Sequence, residues 1–252
     1  MEILITNDDG WGSKGILTLS RVLSSLGHVT VIAPDGPRSG MGCAITVAQP
    51  IYLRRLDDRQ RGEALAGLPI DVYVTNGKPA DCIKLAINAV FGGDDRKIDL
   101  VASGINHGHN AAVNLIYSGT MGACMVAAEH NIPAIGFSIN DHSDNPDFSF
   151  MEPYIAELTK HLLSEGFQQG LCYNINAPQG AIQGIKWARQ CKANWSKELE
   201  PHTDANGETY YILVGDFINH EPQAEDTDIW ALEHNYISIQ PVTIDMTAYA
   251  AL

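Results

Sequence analysis

Ile3-Leu4-Ile5-Thr6-Asn7-Asp8-Asp9-Gly10 opens the chain and sets the reading of everything after it. Three β-branched or aliphatic residues in a row, closed by polar and turn-forming ones, are what a strand covered on both faces looks like. Residues 16–26 then carry helical spacing, 29–33 form a second apolar run, and Pro34 stops it. The same two textures recur: strands at 72–75, 100–103, 134–138 and 173–175, and helices at 79–91, 119–130 and 154–163, the first of these with Pro in its opening turn. The alternation predicts a doubly wound α/β protein with a mostly parallel sheet, whose ligands sit beyond the carboxyl ends of the strands.

From about Lys186 the texture changes. Trp187, Trp195 and Trp230 stand among acidic residues and short alternating runs at 209–214 and 236–239. The expectation is an α/β catalytic unit over 1–185 and a β-rich, hairpin-bearing extension over 186–252 that carries subunit contacts. The polar stretch 140–147 reads as a loop near the site.

The 252 residues are 45% hydrophobic, enough for one substantial core. A formal net charge of -14 argues against coating a polymeric nucleic acid, yet leaves room for a small phosphate ligand, because a bound cation inverts the local charge. Five cysteines, with no C-x-x-C pair, read as free thiols of a cytoplasmic protein. No apolar run is long enough to span a bilayer, and the N-terminus lacks the pattern of a signal peptide.

Polar clusters after strands are the places to look for chemistry. Asp8 and Asp9 are adjacent carboxylates whose repulsion a divalent cation would offset; Asp-Gly is also an ordinary turn pair. Arg38-Ser39-Gly40-Met41-Gly42 offers a hydroxyl and a backbone that a ligand can approach closely. Ser103-Gly104-Ile105-Asn106-His107-Gly108-His109-Asn110 supplies two amides and an H-x-H pair, with no third strong partner for zinc, so solvated loop histidines are the simpler reading of His107 and His109. Ser118-Gly119-Thr120 precedes an apolar helix: Ser118 is a candidate N-cap, and the helix start a candidate phosphate seat. Hard oxygen ligands beside such a seat point to metal-assisted phosphoryl chemistry. An NAD-dependent oxidoreductase is disfavoured because no G-x-G-x-x-G follows the first strand, and a haloacid-dehalogenase-type phosphatase because D-x-D spacing is absent.

These blocks, taken in order, resemble the SurE family of survival protein E nucleotidases. The resemblance rests on I-L-I-T-N-D-D-G at 3–10, P-D-G-P-R-S-G-M-G at 34–42, G-K-P-A-D-C at 77–82, S-G-I-N-H-G-H-N at 103–110 and Y-S-G-T at 117–120. N-I-N-A-P at 174–178 and T-D-I-W-A at 227–231 extend it. It implies a Rossmann-like domain with a swapped or hairpin C-terminal extension, a homodimer or homotetramer, and hydrolysis of nucleoside 5′- or 3′-monophosphates. It further implies one divalent metal ion per subunit, Mg²⁺ or Mn²⁺, on Asp8, Asp9, Ser39 and Asn106. Asp8, Asp9 and Asn106 would form the catalytic group. Ser39, Gly40, Ser103, Asn110, Ser118, Gly119 and Thr120 would lie close to the phosphate. Either aspartate could activate a water, or a carboxylate could attack phosphorus directly; a broad phosphatase and a non-catalytic nucleotide binder are the alternative functions. Gly42, Lys78, His107 and His109 depart from the family's usual residues, and these departures bear on base preference and substrate range rather than on reaction class.

Overall fold

The computed structural model describes residues 1–252, apart from the side chain of Ala250. Strand β1 (Glu2–Thr6) is buried at every position but its first, which requires neighbours on both edges and cover on both faces. It has them. Strand β2 (His28–Pro34) pairs with it in parallel, Ile3 opposite Val29, and β5 (Leu100–His107) pairs in parallel on the other edge, Ile3 opposite Leu100. Helix α1 (Lys14–Leu23) connects β1 to β2 and turns Ile16, Leu19 and Leu23 inward. Next come β3 (Leu53–Arg55), the single turn α2 (Asp58–Arg61), β4 (Ile70–Thr75), α3 (Pro79–Leu85) and β5 (Leu100–His107). After them follow α4 (Asn114–Tyr117), α5 (Gly119–Glu129), β6 (Ala134–Ile139), α6 (Glu152–Glu165) and β7 (Leu171–Ala177).

The nine-stranded main sheet runs β3-β4-β2-β1-β5-β6-β7-β13-β8, with β13 at Tyr236–Thr243 and β8 at Gly184–Trp187. Strands β4 through β7 in that order are parallel, while β3 and β13 run antiparallel to their inner neighbours. The expected doubly wound α/β architecture is therefore present. The chain winds outward from β1 through β2 to β4, then returns to β5 and winds the other way. The switch point lies between β1 and β5, where such folds open a crevice beyond the strand ends. Alternation along β1 sorts the core into two layers. Ile3 and Ile5 pack with Leu19 and Leu23 of α1 and Ile155, Leu158 and Leu162 of α6. Leu4 packs with Ile83 of α3 and Met121, Cys124 and Ala127 of α5 on the opposite face.

Three boundaries differ from expectation for local reasons. Helix α1 stops at Leu23, because the hydroxyls of Ser24 and Ser25 bond back to the carbonyls of Arg21 and Val22 and compete with the helix. Helix α3 stops at Leu85, and 86–90 continue as a wider π-type turn. Strand β5 does not end at Ser103. It runs on to His107 through an irregularity in its pairing with β6 between Ser103 and Asn106, so Asn106 stands on a strand rather than in a loop.

The C-terminal part is β8 (Gly184–Trp187), β9 (Ala193–Ser196), β10 (Leu199–Thr203), β11 (Thr209–Leu213), β12 (Asp216–Asn219), α7 (Asp228–Glu233) and β13 (Tyr236–Thr243). The expected division at 185/186 is not a break in the fold. Strand β8 crosses it, and β13, mostly buried and predicted to lie in the extension, inserts between β7 and β8 in the main sheet. What projects is 193–219. There β9 pairs with β12, and β10–β11 form a ribbon whose Tyr211 and Leu213 are 61% and 75% exposed. The five thiols are free, Cys43 exposed and the other four buried. Among the described residues no helix is long and apolar enough to cross a membrane.

Candidate active site

The turn after β1 is built by Asn7. Its amide nitrogen donates to the Gly10 carbonyl (3.0 Å) and to Ser13 Oγ (2.8 Å), and its Oδ1 accepts from Gly10 N–H (3.1 Å). That clamp presents Asp8 and Asp9 at the carboxyl end of β1. The loop after β2 is held against them at three points. Asp35 N–H donates to the Thr75 carbonyl, Arg38 N–H to the Asp8 carbonyl (2.7 Å), and Gly42 N–H to the Tyr117 carbonyl (2.9 Å). Ser39 and Gly40 are thereby carried to the same crevice. A cavity of about 210 Å³ is lined by Asp8, Asp9, Ser39, Gly40, Asn106, His107, Gly108, His109, Asn110, Asn114, Tyr117, Ser118 and His142.

Both carboxyls are raised above their ordinary range. Burial pushes Asp8 up to about 6; the Thr120 hydroxyl opposes that shift and the neighbouring Asp9 adds to it. Asp9 is also raised by burial, with the His107 backbone N–H and ring opposing. Thr120 Oγ donates to Asp8 Oδ1 at 2.6 Å and lies 3.3 Å from Asn106 Oδ1. The Asn106 amide nitrogen is taken up by the Gly108 (2.7 Å) and His107 (3.2 Å) carbonyls, so the oxygen is the end turned toward Asp8 and Thr120. Asp8, Asp9, Ser39 and Asn106 bring two carboxylates, one hydroxyl and one amide oxygen to the cavity, all hard oxygen donors of the kind Mg²⁺ or Mn²⁺ takes. Among the described residues no three His, Cys, Asp or Glu side chains gather as an ion site.

Of the ten residues proposed from sequence, seven line this cavity and three do not. Ser103 is fully buried in β5 with an unpartnered hydroxyl, because strand alternation turns it into the sheet. Thr120 is fully buried, and its hydroxyl is spent on Asp8 rather than on a ligand. Gly119 is buried behind Asp8: a Cβ there would lie 3.0 Å from the Asp8 Cβ. Ser118 caps α5 as expected, accepting from Met121 N–H at 3.1 Å. The N–H groups of the helix's first two residues have no carbonyl to meet within the helix.

Thr120 is a positioning residue for Asp8. Thr120→Val is expected to lower kcat/KM by roughly 10- to 100-fold, the size of a hydrogen bond to a charged group, and to move the acid limb of the pH–rate profile upward. A profile that stays in place would reduce Thr120 to packing.

Several functional neighbours were not legible in advance. Asn110 N–H donates to Asn176 Oδ1 (2.7 Å), its amide nitrogen to Ser138 Oγ (2.9 Å), and its carbonyl accepts from Asn174 (2.9 Å). Asn174 is bonded in turn to Gln240 and Asn176. This buried amide network fixes the 108–112 turn. Its signal was polar residues at period two in strands otherwise fully apolar. Asp228 ties the same turn to the C-terminal part, accepting from the N–H groups of Ala112, Cys191 and Ile229. His109 is not a solvated loop residue: burial drops it to about 4, and Phe217 of β12 meets it edge-on at 6.3 Å. His107 is exposed, as expected.

A sheet switch point carrying two carboxylates, a hydroxyl and an amide beside a capped helix is the layout of an α/β phosphoester hydrolase, not of a dinucleotide-binding dehydrogenase. The family model described as "Survival protein SurE" matches residues 3–197, and the chain belongs to the SurE family. It is 43% identical over 248 residues to a protein of Bacteroides fragilis named 5′-nucleotidase SurE, covering 98% of this chain and 93% of that one. It is 41% identical to the protein of the same name from Flavobacterium psychrophilum, covering 99% and 94%. Among solved structures, the crystal structure of the SurE protein from Aquifex aeolicus matches with a TM-score of 0.83 and 32% identity, covering all of this chain and 97% of that one.

Proposed function

We propose that this protein hydrolyses nucleoside monophosphates to nucleoside and phosphate, using one divalent cation, Mg²⁺ or Mn²⁺, on each subunit. The observation that carries the reading is the gathering of Asp8, Asp9, Ser39 and Asn106 around one cavity that Ser118, the N-cap of α5, also lines. These four residues would hold the ion, which supplies charge stabilisation for the transferring phosphoryl group. The relatives' name, 5′-nucleotidase, supports the substrate class.

The chain's own residues divide the remaining work. The Ser118 hydroxyl, free to donate because its oxygen accepts at the cap, and the positive end of α5 bind phosphate oxygens. The Asn110 side chain bounds the same cavity, held by its amide network. Asp8 is engaged by Thr120, so Asp9, the less buried carboxylate, is the group that orients and deprotonates the attacking water.

The exposed apolar residues of β10–β11, including Tyr211 and Leu213, support an oligomer in which this ribbon is covered by another subunit. Five free thiols support a reducing cytoplasm.

The test is phosphate release from 5′-AMP and 3′-AMP in EDTA, then with added Mg²⁺ or Mn²⁺. Release abolished by EDTA and restored by metal is the expected result. A folded protein that binds AMP but releases no phosphate with any metal would be a nucleotide-binding module instead.

A further inference from the structure

The reaction assigned above needs only the phosphoryl end of the substrate, yet the cavity is also lined by a ring that none of the steps uses. His142 lies in the loop between β6 and α6, is exposed, and lines the cavity together with Asp8, Asn106 and Ser118. Its position is built rather than incidental. Gly108 has φ +93°, and a Cβ there would stand 2.9 Å from His142 Cε1, so the imidazole rests on backbone that any side chain would cover. His109 meets the ring edge-on, with centroids 5.9 Å apart at 81°.

His109 is itself buttressed. Its Nδ1 accepts from Ala111 N–H at 3.3 Å, and Phe217 packs on it, with Trp195 behind at 5.4 Å from Phe217. Trp195 is tied back to the cavity wall through Asn114 Oδ1 at 2.8 Å. A chain of aromatic rings thus runs from the ribbon base to the cavity rim and ends at His142. Burial keeps His109 neutral, and with Nδ1 accepting, its proton sits on Nε2. A flat, weakly polar ring at the rim of a phosphate-binding cavity, held on one side and open on the other, is the chemistry of a stacking platform. The adjoining chamber of about 350 Å³ shares Asp9 and His107 with the cavity, but Lys14, Asp144 and Asn145 give it a polar wall, and its phenyl ring, Phe148, is buried in the core.

We propose that His142, bedded on Gly108 and braced by His109, is the platform on which the substrate's nucleobase stacks, and that it separates nucleoside monophosphates from sugar phosphates lacking a base. The inference rests on the nucleotidase reading. It makes His142 a specificity residue that touches the part of the substrate remote from phosphorus.

The experiment compares kcat/KM for 5′-AMP and ribose 5-phosphate in the wild type, His142→Ala and His142→Phe, each with saturating Mn²⁺. His142→Ala is expected to lower the AMP to ribose 5-phosphate ratio by about 5- to 100-fold, the range that alanine replacement of a stacking ring produces, with the change chiefly in KM. His142→Phe, which keeps a flat ring and loses the nitrogens, restores most of the ratio. An unchanged ratio in His142→Ala overturns the proposal. So does an equal loss on both substrates that Phe does not rescue, since that marks a proton-transfer or loop-folding role. If the wild type hydrolyses neither substrate, the nucleotidase reading has failed by itself. Calorimetric Kd values for AMP and ribose 5-phosphate then decide: equal AMP affinity in the wild type and His142→Ala overturns stacking, and a weakened AMP affinity alone supports it.

Discussion

Asp8→Asn is expected to lower phosphate release by at least about 10³-fold, corresponding to roughly 4 kcal/mol of lost transition-state stabilisation, while making the metal-free protein more stable. The two effects have one cause. Asp8 is almost fully buried, and burial raises its carboxyl from 3.8 to about 6. A carboxyl raised in the folded state costs nothing at low pH, where it is protonated folded and unfolded alike. The cost grows as pH rises from about 4 to about 6, and is complete above that, reaching at most about 3 kcal/mol. Asparagine keeps an oxygen for the Thr120 hydroxyl and never ionises. Metal-free Asp8→Asn is therefore expected to melt about 2–6 °C above the metal-free wild type at pH 7, allowing about 2–4 °C per kcal/mol for a chain of this size. The difference closes toward pH 4. Adding Mn²⁺ at pH 7 raises the wild type more than the variant, because the ion compensates a charge that only the wild type carries. Near-normal turnover in Asp8→Asn with metal present would sink the ligand assignment. Identical melting of the two metal-free proteins at pH 7 would sink the electrostatic account.

Gly104→Ala carries the second large effect. Gly104 sits at the irregularity in β5 with φ +123°, and a Cβ there would fall 2.2 Å from the Phe137 carbonyl oxygen and 3.0 Å from Asn106 N. Both obstacles are backbone in the centre of the sheet and cannot swing aside. Overpacking and the strained φ together cost roughly 3–5 kcal/mol, so the melting temperature is expected to fall by about 8–15 °C. Relief of the clash moves Asn106, two residues on. A displacement near 1 Å at a reacting centre costs about 10²-fold, so the surviving folded protein should also lose activity. Gly207→Ala is the matched control: φ +81°, with nothing within 4 Å of the added Cβ. Differential scanning calorimetry on both variants separates strain from clash. A Gly104→Ala protein that melts within a degree or two of Gly207→Ala would show that β5 tolerates a side chain there and that the strand's irregular step does not set Asn106.

The buried parallel strands and their longer covering helices through residue 177 were legible, though not β3, α2 or α4, because each buried parallel strand needs a continuous apolar run and each covering helix an apolar stripe, both properties of neighbours along the chain. The same locality exposed the Asp8-Asp9 pair, the Ser39 loop, the Asn106 block and the Ser118 cap, since each follows a strand or precedes a helix where a doubly wound sheet keeps its ligand groups. Tertiary structure alone decided which of these residues face the crevice. Thr120 and Ser103 stand beside cavity residues in sequence, but one is turned onto Asp8 and the other into the sheet. Asn174, Asn176, Gln240 and Asp228 lie some 60 to 130 positions beyond Asn110 and Ala112, yet bond to the turn those residues form, directly or through one another. Strand β13 looked like part of a peripheral extension because its apolar alternation matches a hairpin's as well as an inner strand's, and only its pairing with β7 and β8 distinguishes them. Local pattern determines what each segment can be; which segments share a wall depends on packing between residues far apart in the chain, and no short window of sequence contains it.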